Sequence, residues 1–291
     1  MTKQRTTSTD IANRKTEHFL YRRFEMLAIN QFKWSGLPET IEERHIERVL
    51  FNDGKVLFFE DAELGLLCLP AMEGQGVNVY GDPLRYSATG FNQSFLDIPR
   101  DKCVLIENNK LRMPTALAVS YFVDQLYEVV RTRDVNIQTL KAPFFVVTDD
   151  KSVLTFKKIL EEISKNNVAV FGDKSYNIEE AIKVFQTGVK PLTAELTDTY
   201  HDIMNEALTY LGINNANTDK RERLITSEAD SNNQFIDSCA QMFLEARQRA
   251  CEEINKKFNL NISVELRCPR AQEGEPDVEI SAEDKADNTS K

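Results

Sequence analysis

Long apolar runs are missing from this sequence. The longest, such as Val56 to Phe59 and Phe144 to Val147, fall far short of the roughly 20 residues a membrane-spanning helix needs. The opening residues, MTKQRTTSTD, hold no apolar stretch of the secretory kind. The expectation is a chain without a membrane role, made and used in the cytosol or in something assembled there. Histidine and cysteine are sparse and dispersed: His18, His45 and His201, and Cys68, Cys103, Cys239, Cys251 and Cys268. No CxxC or zinc-ligand spacing arises from them. They read as helix-surface or packing imidazoles and as reduced, mostly buried thiols, so no metal and no cofactor are expected. An excess of positive charge is missing too. Lys and Arg number 36 against 46 Asp and Glu, a net charge of −10, which argues against a protein that wraps or coats DNA. Duplex that passes by without being held is compatible with that charge.

A phosphate cradle is also absent. It requires GxxxxGK[ST], so that backbone amides surround the phosphates and a lysine reaches the outer ones. Gly172-Asp173-Lys174-Ser175 has no glycine five residues upstream, and Gly74-Gln75-Gly76 is a lone GxG that marks a turn. Asp149-Asp150, at the end of PFFVVTDD, reads as a strand entering a turn. Glu42-Glu43 and Glu252-Glu253 are adjacent pairs, turned about 100° apart on a helix, and read as solvated faces. No catalytic residue emerges and no enzyme is expected.

What is present is an ordinary soluble composition, 41% hydrophobic and 28% charged over 291 residues, enough for one large or two smaller domains. The pattern predicts an α+β fold. Residues 1–17 read as a flexible basic arm carrying Lys3, Arg5, Arg14 and Lys15, leading into N-terminal helices over 18–54. A helical pattern runs from about Asp10 to Lys33 on the stripe Leu20, Phe24, Leu27 and Gln31, and a shorter helix opens at Pro38-Glu39-Thr40. Residues 55–113 read as β, with strands at VLFF, LGLLCL, VNVY, the region of Phe91 to Ile98, and CVLI. A helix from Thr115 to Thr132 (unit 114–134) leads into an α/β insertion over 135–190. There a strand is expected at Phe144 to Val147, a helix at Ser152 to Ser164, a strand at Val168 to Phe171 and a short helix near Ile178 to Phe185. A second long helix covers 191–212. A polar loop follows over 213–233, longer than compact domains usually tolerate without a function. Then come an amphipathic helix with a strand (234–267) and a disordered acidic tail over 268–291.

The stretch LGINNAN, then DKRERLIT, SEADSNN and FLEARQRACEEINKKFNLNISVE resembles the C-terminal third of the upper collar proteins of small short-tailed phages with protein-primed linear DNA. These are the portal, or head–tail connector, proteins. Phe32-Lys33-Trp34 leading into Leu37-Pro38-Glu39-Thr40-Ile41, Met113-Pro114-Thr115, and Glu179 to Thr187 are similar to that family in position and character.

The resemblance implies a twelve-subunit ring around a central channel, with long stem helices, a small SH3-like β wing, the α/β insertion as part of the wing, and a helical crown. It implies a virion protein at the portal vertex, assembled in the host cytoplasm, through which double-stranded DNA is packaged, retained and ejected. Its expected partners are the packaging ATPase and any packaging RNA at the narrow end, docked near Lys3, Arg5, Arg14 and Lys15; the lower collar or tail protein afterwards; and the major capsid protein. Residues 214–233 correspond to a channel loop bearing Lys220, Arg221 and Arg223. The family carries channel-facing lysines at positions matching Gln186, Glu195 and Lys220, and here only Lys220 is basic. The alternative is a head–tail adaptor or collar component that does not gate.

Overall fold

A computed structural model describes residues 8–141, 144–147, 183–186, 190–214 and 226–267. Helix α1, Ser8–Ile29, buries Leu20, Phe24 and Ala28 at four-residue spacing and leaves Phe19 and Met26 exposed. It therefore takes in Arg14 and Lys15, so the flexible arm expected over 1–17 is helical from Ser8 onward. The chain also leaves α1 earlier than the pattern to Lys33 suggests. Strand β1, Phe32–Ser35, buries Phe32 and Trp34 and exposes Lys33 and Ser35. It pairs antiparallel with β9, Ser263–Leu266, from the far end of the chain. A period of two decides strand over helix here, but only because a partner strand is present.

Helix α2, Glu43–Asp53, buries Ile46, Glu47, Val49, Leu50 and Phe51 and begins three residues after Thr40. It stops where Gly54 takes φ 77 and its N–H bonds to the Leu50 carbonyl, a left-handed cap that suits glycine.

Five strands then form one antiparallel sheet: β2 Lys55–Asp61, β3 Gly65–Glu73, β4 Arg85–Thr89, β5 Ser94–Pro99 and β6 Cys103–Glu107, in spatial order β5-β4-β3-β2-β6. The expected strand at VNVY does not form. Val77 makes an isolated bridge to Pro83, and the ladder role goes to β4, whose Tyr86 and Ala88 alternate inward. Both faces of β2 are covered. Val56 and Phe58 join the core with α2 and the last long helix, while Leu57 and Phe59 join Ala71, Tyr86 and Cys103. Burial on both sides is why VLFF is apolar without alternation.

Helix α3, Thr115–Lys141, buries Val119, Phe122, Val123 and Leu126. It runs past the expected end at 132–134, since no glycine or proline intervenes before Pro143. Strand β7, Phe144–Val147, pairs antiparallel with β8, Lys183–Gln186, so the short helix expected to reach Phe185 gives way to a strand there. The helix expected at 152–164 and the strand at 168–171 lie outside the described residues. Helix α4, Thr193–Tyr210, ends at a turn through Leu211 and Gly212. Asn136 of α3 fixes its start, donating to the Lys190 carbonyl at 2.9 Å and accepting from the Leu192 N–H at 3.1 Å.

Helix α5, Thr226–Phe258, spans 33 residues and begins inside the stretch expected to be loop up to 233. Of the apolar stripe expected at Ile236, Cys239, Phe243, Ala246, Ala250, Ile254 and Phe258, the first six are buried and Phe258 is half-buried. At 1.5 Å per residue, α3, α4 and α5 are rods of about 40, 27 and 50 Å. Helices α1, α3 and α4 share one apolar core, and α5 joins α2, β1, β9 and the sheet in another.

Candidate functional site

The expected site residues fall into two groups. Lys3, Arg5, Lys220, Arg221 and Arg223 lie outside the described residues. Arg14 and Lys15 are exposed on α1 and line a cleft of about 550 Å³ with Glu17, His18 and the α3 residues Ser120 and Asp124. Gln186 ends β8. Glu195 is exposed in the first turn of α4, where a negative charge is favoured by the helix dipole, and its carbonyl accepts from the Thr199 hydroxyl at 2.8 Å. These four residues thus sit on three separate elements, α1, β8 and α4.

A buried polar junction, which the sequence pattern does not reveal, ties α5 to the rest of the chain. Arg247 projects from α5 and is 2% exposed. Its Nε and Nη2 donate to the two Glu47 carboxylate oxygens of α2 at 2.9 and 2.8 Å. Its remaining donors reach the Asn108 carbonyl and Oδ1 at 3.3 and 3.2 Å and the Phe243 carbonyl at 2.9 Å. The guanidinium also sits 4.1 Å from the centre of the Phe32 ring, a cation–π contact. Trp34 Nε1 donates to Glu47 at 2.8 Å, and Asn108 passes the network on to Thr115 at the start of α3. Arginine suits this place because its planar fork matches a carboxylate with two parallel bonds and still leaves donors for carbonyls. In sequence, Arg247 is one charge in a charged helix. What marks it is its position: it sits four residues after Phe243 and three before Ala250, on the apolar face.

A second, open network lies on the opposite side of α5. Arg112 bonds Glu107 at 2.8 Å and Asp82 at 3.2 Å, Arg100 meets Asp82 at 3.3 Å, and Arg249 of α5 pairs with Glu107. Lys257 donates to the Cys103 and Arg100 carbonyls at 2.7 and 3.2 Å. A bond from Asn78 and the guanidinium groups of Arg100 and Arg112 hold the Asp82 carboxyl below its usual value. Glu43 is likewise not simply solvated. Burial works against its charge, but the Trp34 amide and Arg267 outweigh that and lower its pKa. The four described cysteines are buried free thiols, and desolvation pushes Cys103 up to about 11 and Cys251 up to about 12. Such thiols are poor nucleophiles.

Chemically, these networks anchor: they lock long rods to a small sheet. The family described as Phage Connector (GP10) matches residues 4–269, and the chain belongs to that family. It is accordingly a portal-type structural protein of the phage virion, placed at the junction of head and tail. Among solved structures it is similar to the portal and tail of native bacteriophage P68, at 18% identity over 93% of this chain and 94% of that one, with a TM-score of 0.47. It is also similar to an HK97-family portal protein from Corynebacterium diphtheriae, at 10% identity over 89% and 95%, TM-score 0.48. A third likeness is to the virion of a native gene transfer agent particle, at 11% identity over 90% and 84%, TM-score 0.47. Among the described residues no helix is long and apolar enough to cross a membrane.

Proposed function

We propose that twelve copies of this chain form a ring around a channel through which double-stranded DNA is packaged, retained and later ejected, without catalysis of its own. The membership of nearly the whole chain in the connector family carries this reading. In it, α3 and α4 are the stem, the five-stranded sheet is the SH3-like wing, and α5 with β9 is the crown. The β7–β8 pair belongs to the wing insertion. The packaging ATPase, with any packaging RNA, docks at the narrow end near Lys3, Arg5, Arg14 and Lys15, the tail takes its place afterwards, and the shell protein surrounds the wing.

A ring of chains each carrying −10 suits passage with little dwell, because tight binding of DNA needs many cations to displace condensed counterions. Lys220, Arg221 and Arg223 are the cationic exception, and Glu195 and Gln186 bring no positive charge to the bore. These three cations touch phosphates transiently and resist backward slip of the genome.

The test is to replace residues 215–225 by a short flexible linker and, separately, to change Lys220, Arg221 and Arg223 to Gln. Rings should still form, and heads should fill but retain DNA poorly. The Gln variant should show part of that defect, with less dependence on salt, since screening acts on the charges removed. Wild-type retention in both variants would leave a ring without a gate, and monomers in place of rings would refute the reading as a whole.

A further inference from the structure

The loop from Gly76 to Leu84, between β3 and β4, holds its apolar residues away from the protein. Val79 is 93% and Tyr80 87% exposed, yet the loop is firmly built. Asn78 Oδ1 accepts from the N–H groups of Tyr80 and Asp82, both at 2.9 Å. The Asn78 N–H bonds the Asp82 carbonyl at 2.9 Å and the Leu84 N–H bonds the Gly76 carbonyl at 2.9 Å. Asp82 is pinned in turn by Arg100 and Arg112. A loop already ordered pays little entropy on binding, and tyrosine is a favoured anchor at protein interfaces. The finger is therefore a pre-formed contact.

The same chain offers a recess. Met26 and Leu27 of α1, Ile213 of the turn after α4, Asp237 and Ala240 of α5, and Leu266 of β9 surround a crevice of about 370 Å³. Helix α5 shows how finger and recess are disposed. The finger is tied through Asp82, Arg100 and Arg112 to the cleft that Arg249, Glu253 and Lys257 of α5 line, whereas the recess uses Asp237 and Ala240. At about 100° per residue, the centres of these two sets are about 170° apart around the helix. Finger and recess thus lie on opposite flanks, the arrangement that a head-to-tail contact between identical subunits needs and a two-fold contact does not. Charge points the same way. Two copies at −10 each repel at long range, so they meet best where charge is sparse. Val77, Val79 and Tyr80 are neutral, as are Met26, Leu27, Ile213 and Leu266, and Asp237 is the one charged residue lining the recess.

We propose that Val79 and Tyr80 of one copy seat in the recess formed by α1, α5 and β9 of the next copy, and that this is the repeating contact of the ring. The inference rests on the ring reading above and names the surfaces that close it.

The test uses the full-length chain with Cys268→Ser, because Cys268 follows the recess residue Leu266 by two positions. Val79→Cys and Met26→Cys are combined in one chain and mildly oxidised. A ladder of disulfide-linked multimers ending at the ring size is expected, with each single variant staying unlinked. Separately, Val79→Ser with Tyr80→Ser should lower the affinity of ring assembly by about tenfold or more. The circular dichroism spectrum should not change, since both side chains are exposed. Rings that form in the wild type with no ladder, and equally well in the serine variant, overturn the finger contact and leave the ring standing. A ladder that stops at two copies indicates a two-fold contact and overturns it as well. Wild-type protein that stays monomeric at all concentrations defeats the ring reading and this proposal together.

Discussion

Arg247→Met removes the cation from the junction between α5, α2 and the start of α3. Its guanidinium makes two bonds to Glu47 at 2.8–2.9 Å and two to Asn108 at 3.2–3.3 Å, with side chains only 3% and 2% exposed at the ion pair. Methionine fills a similar volume and leaves Glu47 buried with one remaining side-chain donor, Trp34 Nε1. Stranding a buried charge in this way costs about 3–5 kcal/mol. That is a large part of the roughly 5–15 kcal/mol that holds a folded domain, and it corresponds to a fall in Tm on the order of 10 °C. Removing both partners, as Glu47→Leu with Arg247→Met, should recover part of the loss. The residual cost, about 1–3 kcal/mol, comes from the Trp34 N–H left without its acceptor. The assay is denaturant and thermal unfolding of wild type, both single variants and the double, compared in the same oligomeric state and at two salt concentrations. The loss should be nearly independent of salt, because the pair is shielded from solvent ions. A loss below about 1 kcal/mol in Arg247→Met, or a double variant as unstable as the sum of the singles, would refute the reasoning.

Two further outcomes are expected. Burial, with the neighbouring Arg48, pushes His45 below its ordinary value of 6.5, so the unfolded chain takes up this proton first. Its contribution to stability is fully present above pH 6.5 and is lost as pH falls from there through the folded pKa; unfolding curves for His45→Asn should be flatter over that window, and an unchanged slope would count against the argument. Gly212 takes φ 72, and a Cβ there would lie 2.5 Å from the Ala240 backbone of α5, so Gly212→Ala combines left-handed strain of about 1–2 kcal/mol with overpacking of about 1–3 kcal/mol and should lower Tm measurably.

Local pattern alone makes most of the helices legible in the sequence. The stripe from Ile236 to Ile254 repeats at three and four residues, and that spacing sets which face of α5 is buried. Gly54 and Gly212 punctuate α2 and α4 for the same local reason. The sites expected by resemblance stand differently. Lys220, Arg221 and Arg223 fall outside the described residues, and Glu195 is explained by its helix terminus.

By itself, then, the sequence determined that this is an α+β chain, which stretches become the long helices, and which family it belongs to, because each depends on neighbours in the chain or on motif identity. Tertiary structure decided the rest. Phe32–Ser35 is a strand because Ser263–Leu266 lies beside it, more than 200 residues away, and no local preference contains that pairing. Arg247 is an internal anchor because Glu47, also 200 residues distant, meets it where both side chains are buried. The spacing of Arg247 among the apolar residues of α5 marks it as inward-facing, but only packing shows which carboxylate it meets.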